Sequence, residues 1–358
     1  MKKKIILGIE TSCDDTSIAV VDSDQNILSN IVVNQNNYHQ QFGGIVPEIA
    51  ARAHLHLIDT TLKKSLQKAG VELSDIDIFC ATGGPGLIGG LIVGTTFAKT
   101  LSWSLKKPYV AVNHLEGHAL TARLITNIEY PYLLLLVSGG HTQLLAVENV
   151  GKYQRISTTL DDAAGETFDK AAKMLNLPIP GGPEIEKYSL NGNEKLFVLP
   201  RPMLKSKNPN FSFSGLKTAF SKYVNKNNVD DYRNDLAASL QLAISDCIVD
   251  RTKLAIKIFQ NNVSKNVTLI VAGGVAANLK IRAELKKLCT KESIDFFAPP
   301  LYLCTDNGAM IAWAGFEKFM NYGASDFNFK QRPRWPLDPE AFKLYPTMKR
   351  VGKKGIKS

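Results

Sequence analysis

Apolar residues in this chain follow two rhythms. Short, nearly continuous apolar runs bounded by turn residues read as buried strands. Longer stretches in which apolar residues return every three or four positions read as helices. Lys4–Glu10, Thr16–Asp22 and Asn26–Val33 read as strands, the first two separated by the polar turn Thr11-Ser12-Cys13-Asp14-Asp15. Pro47–Ala69 reads as a helix, with Pro47 in its first turn, Gly70 closing it, and Ile49, Ala53, Leu57, Thr60 and Leu66 as its apolar stripe. Asp77–Ala81 reads as a strand entering a glycine-rich turn, Gly83 to Gly90, followed by a helix to about Leu105. Strand Tyr109–Val112 and a helix opened by His114 come next.

Tyr132–Ser138, the turn Gly139-Gly140-His141 and Thr142–Val147 repeat the opening pattern of strand, tight turn and strand. Residues 5–21 and 133–147 therefore read as two copies of one hairpin, which points to a duplicated α/β fold with both turns facing a shared cleft. The segment 176–216 is rich in Pro, Gly, Asn and Ser and reads as loops and an insertion. Residues 229–260 read as a long helix with Leu236, Leu240, Ala243, Ile244, Cys247 and Ile248 on one face. Val267–Ala272 reads as a strand whose glycine turn, Gly273 to Asn278, opens a helix where backbone amides can meet an anion. Asp306–Phe319 reads as the last helix.

The most informative local feature is His114-Leu115-Glu116-Gly117-His118. Histidines at i and i+4 share one helix face, so both imidazoles can reach one metal ion. A protease-type zinc site places its glutamate beside the first histidine. Here Glu116 is at i+2, about 200° round the helix, and points away. His54 and His56, two apart, read as structural or surface residues. No Gly-Lys-Ser/Thr follows Gly83–Gly90, so that turn is not a Walker loop.

Length and composition set the frame. The 358 residues suffice for two domains with real cores. Lys and Arg number 43 against 33 Asp and Glu, a net charge of +10 that favours a polyanionic partner, nucleic acid before membrane. Part of that charge is terminal, at Lys2 to Lys4 and at Lys349 to Lys357. The cysteines, Cys13, Cys80, Cys247, Cys289 and Cys304, are scattered and lack CxxC spacing, which argues against a disulfide framework and fits a reducing compartment. Glu10 breaks the apolar run Ile5–Ile9, so neither a signal peptide nor a membrane span is expected, and the cytoplasm is the expected location.

Seven motifs then occur in order. They are Gly8-Ile9-Glu10-Thr11-Ser12-Cys13-Asp14-Asp15-Thr16, His114 to His118, Leu136-Val137-Ser138-Gly139-Gly140-His141-Thr142, Asp162 to Lys170, Pro180-Gly181-Gly182-Pro183, Phe211 to Lys217 and Gly273-Gly274-Val275. With them the chain resembles the bacterial tRNA N6-adenosine threonylcarbamoyltransferase family, once described as O-sialoglycoprotein endopeptidases, over roughly residues 5–335. The resemblance implies a duplicated, actin-like, two-lobed α/β fold with a nucleotide cleft. Residues 1–112, completed by a helix at about 307–330, would form one lobe; 113–306, with an insertion around 176–226, the other; and 336–358 a basic tail. It implies transfer of a threonylcarbamoyl group from threonylcarbamoyl-AMP to N6 of adenosine 37 in tRNAs reading ANN codons. It implies one divalent metal, Fe(II) before Zn(II), on His114, His118 and Asp306, and an adenylate held by Leu136, Val137, Ser138, Gly139, Gly140, Asp169, Gly182, Glu186 and Asn278. Glu186 stands where many members have Asp, and Asp15 where many have Glu. Asp14 is the candidate for orienting or deprotonating the accepting amine. Implied partners are tRNA, an inactive paralogue of the same fold and a small P-loop ATPase, with homodimerisation of the isolated chain left open. Helices 47–69 and 90–105 are candidates for the paralogue's surface.

Three competing readings stay open at this level. An actin-like ATPase or small-molecule kinase explains both hairpins but not the histidine pair, since kinases place Mg(II) with carboxylates and phosphates. A metalloprotease conflicts with the i+2 glutamate. A non-catalytic scaffold leaves the metal-ligand set without a purpose.

Overall fold

A computed structural model of the chain describes residues 3–39, 42, 44–226 and 229–341; most of the expected basic tail, 342–358, lies outside the described residues. β1 (Ile5–Glu10), β2 (Thr16–Asp22) and β3 (Ile27–Val33) form an antiparallel meander. A short helix, α1 (Asn36–His39), and a long one, α2 (Pro47–Ala69), follow. β4 (Ile78–Gly84), α3 (Ile88–Ser104) and β5 (Tyr109–Asn113) then extend the sheet in parallel, giving the order β3-β2-β1-β4-β5.

The plan then repeats. After α4 (His114–Ile125), β6 (Tyr132–Val137), β7 (Thr142–Asn149) and β8 (Lys152–Thr158) form a second meander. Four helices follow, α5 (Ala164–Met174), α6 (Gly181–Ser189), α7 (Ser214–Lys226) and α8 (Val229–Asn262). β9 (Thr268–Ala272), α9 (Leu279–Glu292) and β10 (Asp295–Phe297) complete a sheet in the order β8-β7-β6-β9-β10, and α10 (Gly308–Tyr322) follows. Both sheets thus read 3-2-1-4-5, with an antiparallel meander and two parallel additions. The chain is a duplicated, actin-like α/β fold.

Some elements differ from the sequence reading. The Pro- and Gly-rich segment 176–216 is not all loop. It contains α6, whose Gly181 and Pro183 sit in the first turn, where a missing amide donor costs nothing. The buried face of α2 is Ala50, Ala53, His54, Ile58, Thr61, Leu62 and Ser65, about one position round from the expected stripe, and Thr60 is exposed. The Gly273 turn leads into a 3-10 turn, Gly274–Ala277, before α9 begins. β8 and β10 were not legible. β8 starts with the polar Lys152-Tyr153-Gln154-Arg155, and β10 is a three-residue edge strand.

Three packing facts position the site. First, α10 returns to the first lobe and packs on β1, β2, β4 and β5, with Ala309 to Ala314 in one core with Ile6, Ala19, Ile78 and Val110. The approach is close because Gly8 and Gly308 face each other; a Cβ on Gly8 would lie 2.2 Å from the Gly308 carbonyl oxygen and 2.4 Å from the Ala312 nitrogen. Second, α4 lies between the lobes. Leu120 and Leu124 join the α10 core, while Leu115, Ala119 and Ala122 join Leu134, Leu136 and Ile270 of the second sheet. Third, the segment after α10 runs back along the first sheet, with the Ser325 amide donating to Tyr109 and the Arg332 amide to Gly83. It then reaches the second lobe, where the Arg155 amide donates to Asp338 at 2.8 Å.

Gly8→Ala is expected to destabilise the first lobe by about 3 kcal/mol, because a methyl there must displace backbone rather than a side chain. Urea unfolding followed by the fluorescence of Trp313, on α10, checks it; an unchanged transition midpoint would contradict the packing.

Candidate metal centre and glycine-turn cleft

The His114–Ala122 stretch of α4 is buried throughout, so each polar group in it needs a partner. Asn113 caps the helix, its side-chain oxygen accepting from the Leu115 amide at 2.9 Å. His114 and His118 lie on one face with rings 4.9 Å apart. Asp306 arrives from the turn just before α10. Its Oδ1 is 3.1 Å from His118 Nε2 and 3.5 Å from His114 Nε2. One donor atom from each of the three residues fits within 4.8 Å of the others, the only such group of three or more His, Cys, Asp or Glu among the described residues. Two imidazoles and a carboxylate suit a borderline metal such as Fe(II) or Zn(II) and leave positions open for substrate.

Glu116 does not join this group. It is buried on the other side of α4, accepting from the Gly151 amide at 3.0 Å and the Tyr153 hydroxyl at 2.8 Å. Glu116 therefore does not serve as a protease-type glutamate beside the histidines.

Sequence reasoning overlooked Glu10 and its neighbours. Glu10 ends β1 at 1% exposure. Its Oε2 lies 3.0 Å from His114 Nδ1 and accepts from Thr82 Oγ1 at 2.5 Å; its Oε1 accepts from the Ser12 amide at 2.6 Å. Ser12 Oγ is also 3.1 Å from His114 Nδ1. With Nδ1 held by a carboxylate, Nε2 is left facing Asp306 and His118, the arrangement that orients an imidazole ligand toward a metal. A signal did exist: a lone carboxylate closing a fully apolar strand demands a partner.

The charges are coupled. Burial lowers the His114 pKa, but Asp306 and Glu10 outweigh it and raise it to about 9. Burial would raise Asp306, yet His114 and the His118 hydrogen bond hold its carboxyl well below the usual range. Glu10 is likewise lowered, the His114 interaction overcoming the cost of burial. Asp15 moves the other way. Burial, then Asp14, Asp306 and Glu10, push it up to about 7. The β1–β2 turn thus meets the histidines through Ser12, and Asp14 and Asp15 sit on it half-buried. Glu10 and Asp306 thus both bear on Asp15.

The remaining site residues gather in the second lobe. Leu136 and Val137 close β6 and are fully buried. Ser138, Gly139 and Gly140 turn back through a Ser138 amide bond to the His141 carbonyl at 2.8 Å, and a Cβ on Gly139 or Gly140 would meet nothing within 4 Å. Gly273, at φ +94°, packs on this turn; a Cβ there would lie 2.4 Å from the Val137 carbonyl oxygen. The Gly165 amide donates to the Ser138 carbonyl and brings in α5, which carries Asp169. Asp169 accepts from the Gly181 amide at 2.7 Å, beside Gly182, and burial raises its pKa. Glu186 accepts from the Leu279 amide at 2.6 Å, so the longer side chain caps α9. Asn278 also caps α9, and its amide donates to Gln241. The second turn lies near enough to the first group for His141 to bear electrostatically on Asp306. His54 is buried against Thr16 and the Cys13 carbonyl, and His56 is exposed.

Comparison with known proteins supplies what geometry cannot. Residues 26–313 match the family model described as tRNA N6-adenosine threonylcarbamoyltransferase. Proteins of that name from Brucella suis and Brucella abortus are each 49% identical over 356 residues, covering 97% of this chain and 99% of theirs. Among solved structures, HypF from T. kodakarensis superposes with a TM-score of 0.59 at 13% identity, over 90% of this chain and 48% of its own, a likeness of fold alone. A full-length HypF in a phosphate- and nucleotide-bound form gives 0.56 at 12% identity, over 91% of this chain and 48% of its own. With a near full-length match at this identity, the chain belongs to the tRNA N6-adenosine threonylcarbamoyltransferase family.

Proposed function

We propose that the protein transfers the threonylcarbamoyl group of threonylcarbamoyl-AMP to N6 of adenosine 37 in tRNAs reading ANN codons, releasing AMP. The observation that carries this reading is the convergence of donor atoms from His114, His118 and Asp306 on one position, in a chain of this family. A divalent ion, Fe(II) or Zn(II), held by those three residues would supply a Lewis acid for negative charge on the phosphate or carbamoyl oxygens.

The chain's own groups account for the rest. Leu136–Gly140 and the Gly273–Asn278 turn hold the adenylate, whose phosphate suits backbone N–H donors. Asp169 and Glu186 keep the α6 and α9 N-termini in place against it. Asp14, on the β1–β2 turn, orients the adenosine amine or takes its proton as the new N–C bond forms and the C–O bond to the phosphate breaks. In this reading the partners are an inactive paralogue docked on the α2–α3 face and a small P-loop ATPase. A separate synthase supplies the intermediate, and the reaction takes place in the cytoplasm. No helix among the described residues is long and apolar enough to cross a membrane.

Wild-type protein, given threonylcarbamoyl-AMP, the partner proteins and an ANN-decoding tRNA, is expected to yield threonylcarbamoyladenosine by mass spectrometry of the digested tRNA. His114→Ala is expected to lose at least a hundredfold in rate, on the scale of a lost electrostatic stabiliser. Product from both at equal rates would remove the metal centre from the mechanism. Asp14→Asn should lose rate while keeping its metal.

Because His114 has a pKa raised to about 9, it is an imidazolium at neutral pH in the metal-free protein, and its proton must leave before Nε2 can ligate. Zinc affinity is therefore expected to rise about tenfold per pH unit from neutrality and to level off near pH 9. Glu10→Gln should reach its plateau at lower pH, with plateau affinity reduced about 10–100-fold. A chelator-competition titration across pH reads both, and a flat profile in wild type would contradict the charge assignment.

A further inference from the structure

The distribution of lysines on the second lobe carries one further inference. From Lys195 to Val229 the sequence holds Lys195, Arg201, Lys205, Lys207, Lys217, Lys222 and Lys226, and no Asp or Glu. A folded segment with such a run suffers self-repulsion unless a counter-charge relieves it. Only Arg201 has one; its Nε donates to Asp246 at 2.9 Å. The six lysines are all exposed, and among the described residues none makes an ion pair. Elsewhere several surface lysines are paired, as in Lys63–Asp59, Lys170–Asp162 and Lys287–Glu284.

Three neighbouring acids are committed elsewhere. Asp161 accepts from the Ser212 and Ser214 hydroxyls and the Phe213 amide. Asp250 accepts from the buried Arg251, and Glu194 from Lys280. The backbone under the lysines is fastened down as well. Arg251 donates to the carbonyls of Ser206 and Asn208, and the Lys205 amide donates to Asp250 at 3.3 Å. Lys222 and Lys226, one turn apart on α7, share an outward face while Leu216 and Phe220 are buried. Asp161 ties the start of α7 beside α5, whose Gly165 amide donates to Ser138 of the glycine turn.

We propose that this lysine face binds the phosphodiester backbone of the tRNA, outside the transfer site, and holds the acceptor nucleotide's strand at the cleft. The proposal rests on the reading of tRNA as the substrate. Each phosphate neutralised releases counterions, so such a face reveals itself in the salt dependence of binding.

The test is fluorescence-anisotropy titration of an unmodified ANN-decoding tRNA with the full chain over a range of salt. The variants are Lys217→Gln/Lys222→Gln/Lys226→Gln, the same triple to Arg, and a control triple to Gln at Lys63, Lys64 and Lys68 of α2. The face predicts that the Gln triple weakens binding roughly tenfold or more near 0.1 M salt. Its slope of log K against log salt should fall by about 0.7–0.9 for each phosphate no longer neutralised. The Arg triple and the α2 triple should match wild type. In the transfer assay the Gln triple should raise KM for tRNA and keep kcat. Wild-type affinity and slope in the Gln triple, or an equal weakening in the α2 triple, would overturn the proposal. Lysine-dependent tRNA binding without any threonylcarbamoyladenosine, in a mix where a control transferase works, would support the face and count against the assigned reaction.

Discussion

A carboxylate at the end of a fully buried strand is tolerable only if every lone pair finds a donor, and Glu10 meets that condition by holding His114. The bond joins β1 to α4, and Thr82 adds β4 through the same oxygen. Because α4 packs on α10 with one face and on the second sheet with another, fixing His114 also fixes the helix between the lobes. The imidazole has one nitrogen committed to structure and one left for chemistry. Asp306, delivered by the turn before α10, stands opposite that free nitrogen. The close approach of Gly8 and Gly308 that seats α10 on β1 is thus part of the same construction.

The duplication divides the work. Each lobe offers a turn between its first two strands at the cleft. The first turn is acidic and touches the histidines through Ser12. The second is built of Ser138, Gly139 and Gly140, with open space at both glycines. One turn thus adjoins His114, His118 and Asp306, and the other is a glycine turn with open space at Gly139 and Gly140. Asp169, Glu186 and Asn278 act mainly as helix caps, holding the N-termini of α6 and α9. The outer surface of the same lobe carries exposed lysines that make no ion pair among the described residues.

Much of this was legible in the sequence. Strands of continuous apolar residues and helices of regular period were readable because burial and periodicity coincide in them, and the repeated hairpin exposed the duplication. β8 was not legible, since Lys152, Gln154 and Arg155 obscure its alternation, and α6 was hidden by Pro and Gly that belong to its first turn. His114 and His118 announced themselves by spacing. Asp306, nearly two hundred residues on, entered only through family resemblance, because no local pattern distinguishes it from any helix-leading Asp. Glu10 was visible as a break in an apolar run, but its partner lay over a hundred residues away, and only the fold brings the two together.

The central claim is that His114, His118 and Asp306 hold one divalent ion. X-ray absorption on the protein loaded with one equivalent of zinc, alongside metal analysis after dialysis, tests it most directly. The account predicts retention of one equivalent and a first shell of nitrogen and oxygen with the outer-shell scattering of two imidazoles, lost on His118→Ala. A metal that dialyses away, or a first shell containing sulfur, would contradict it.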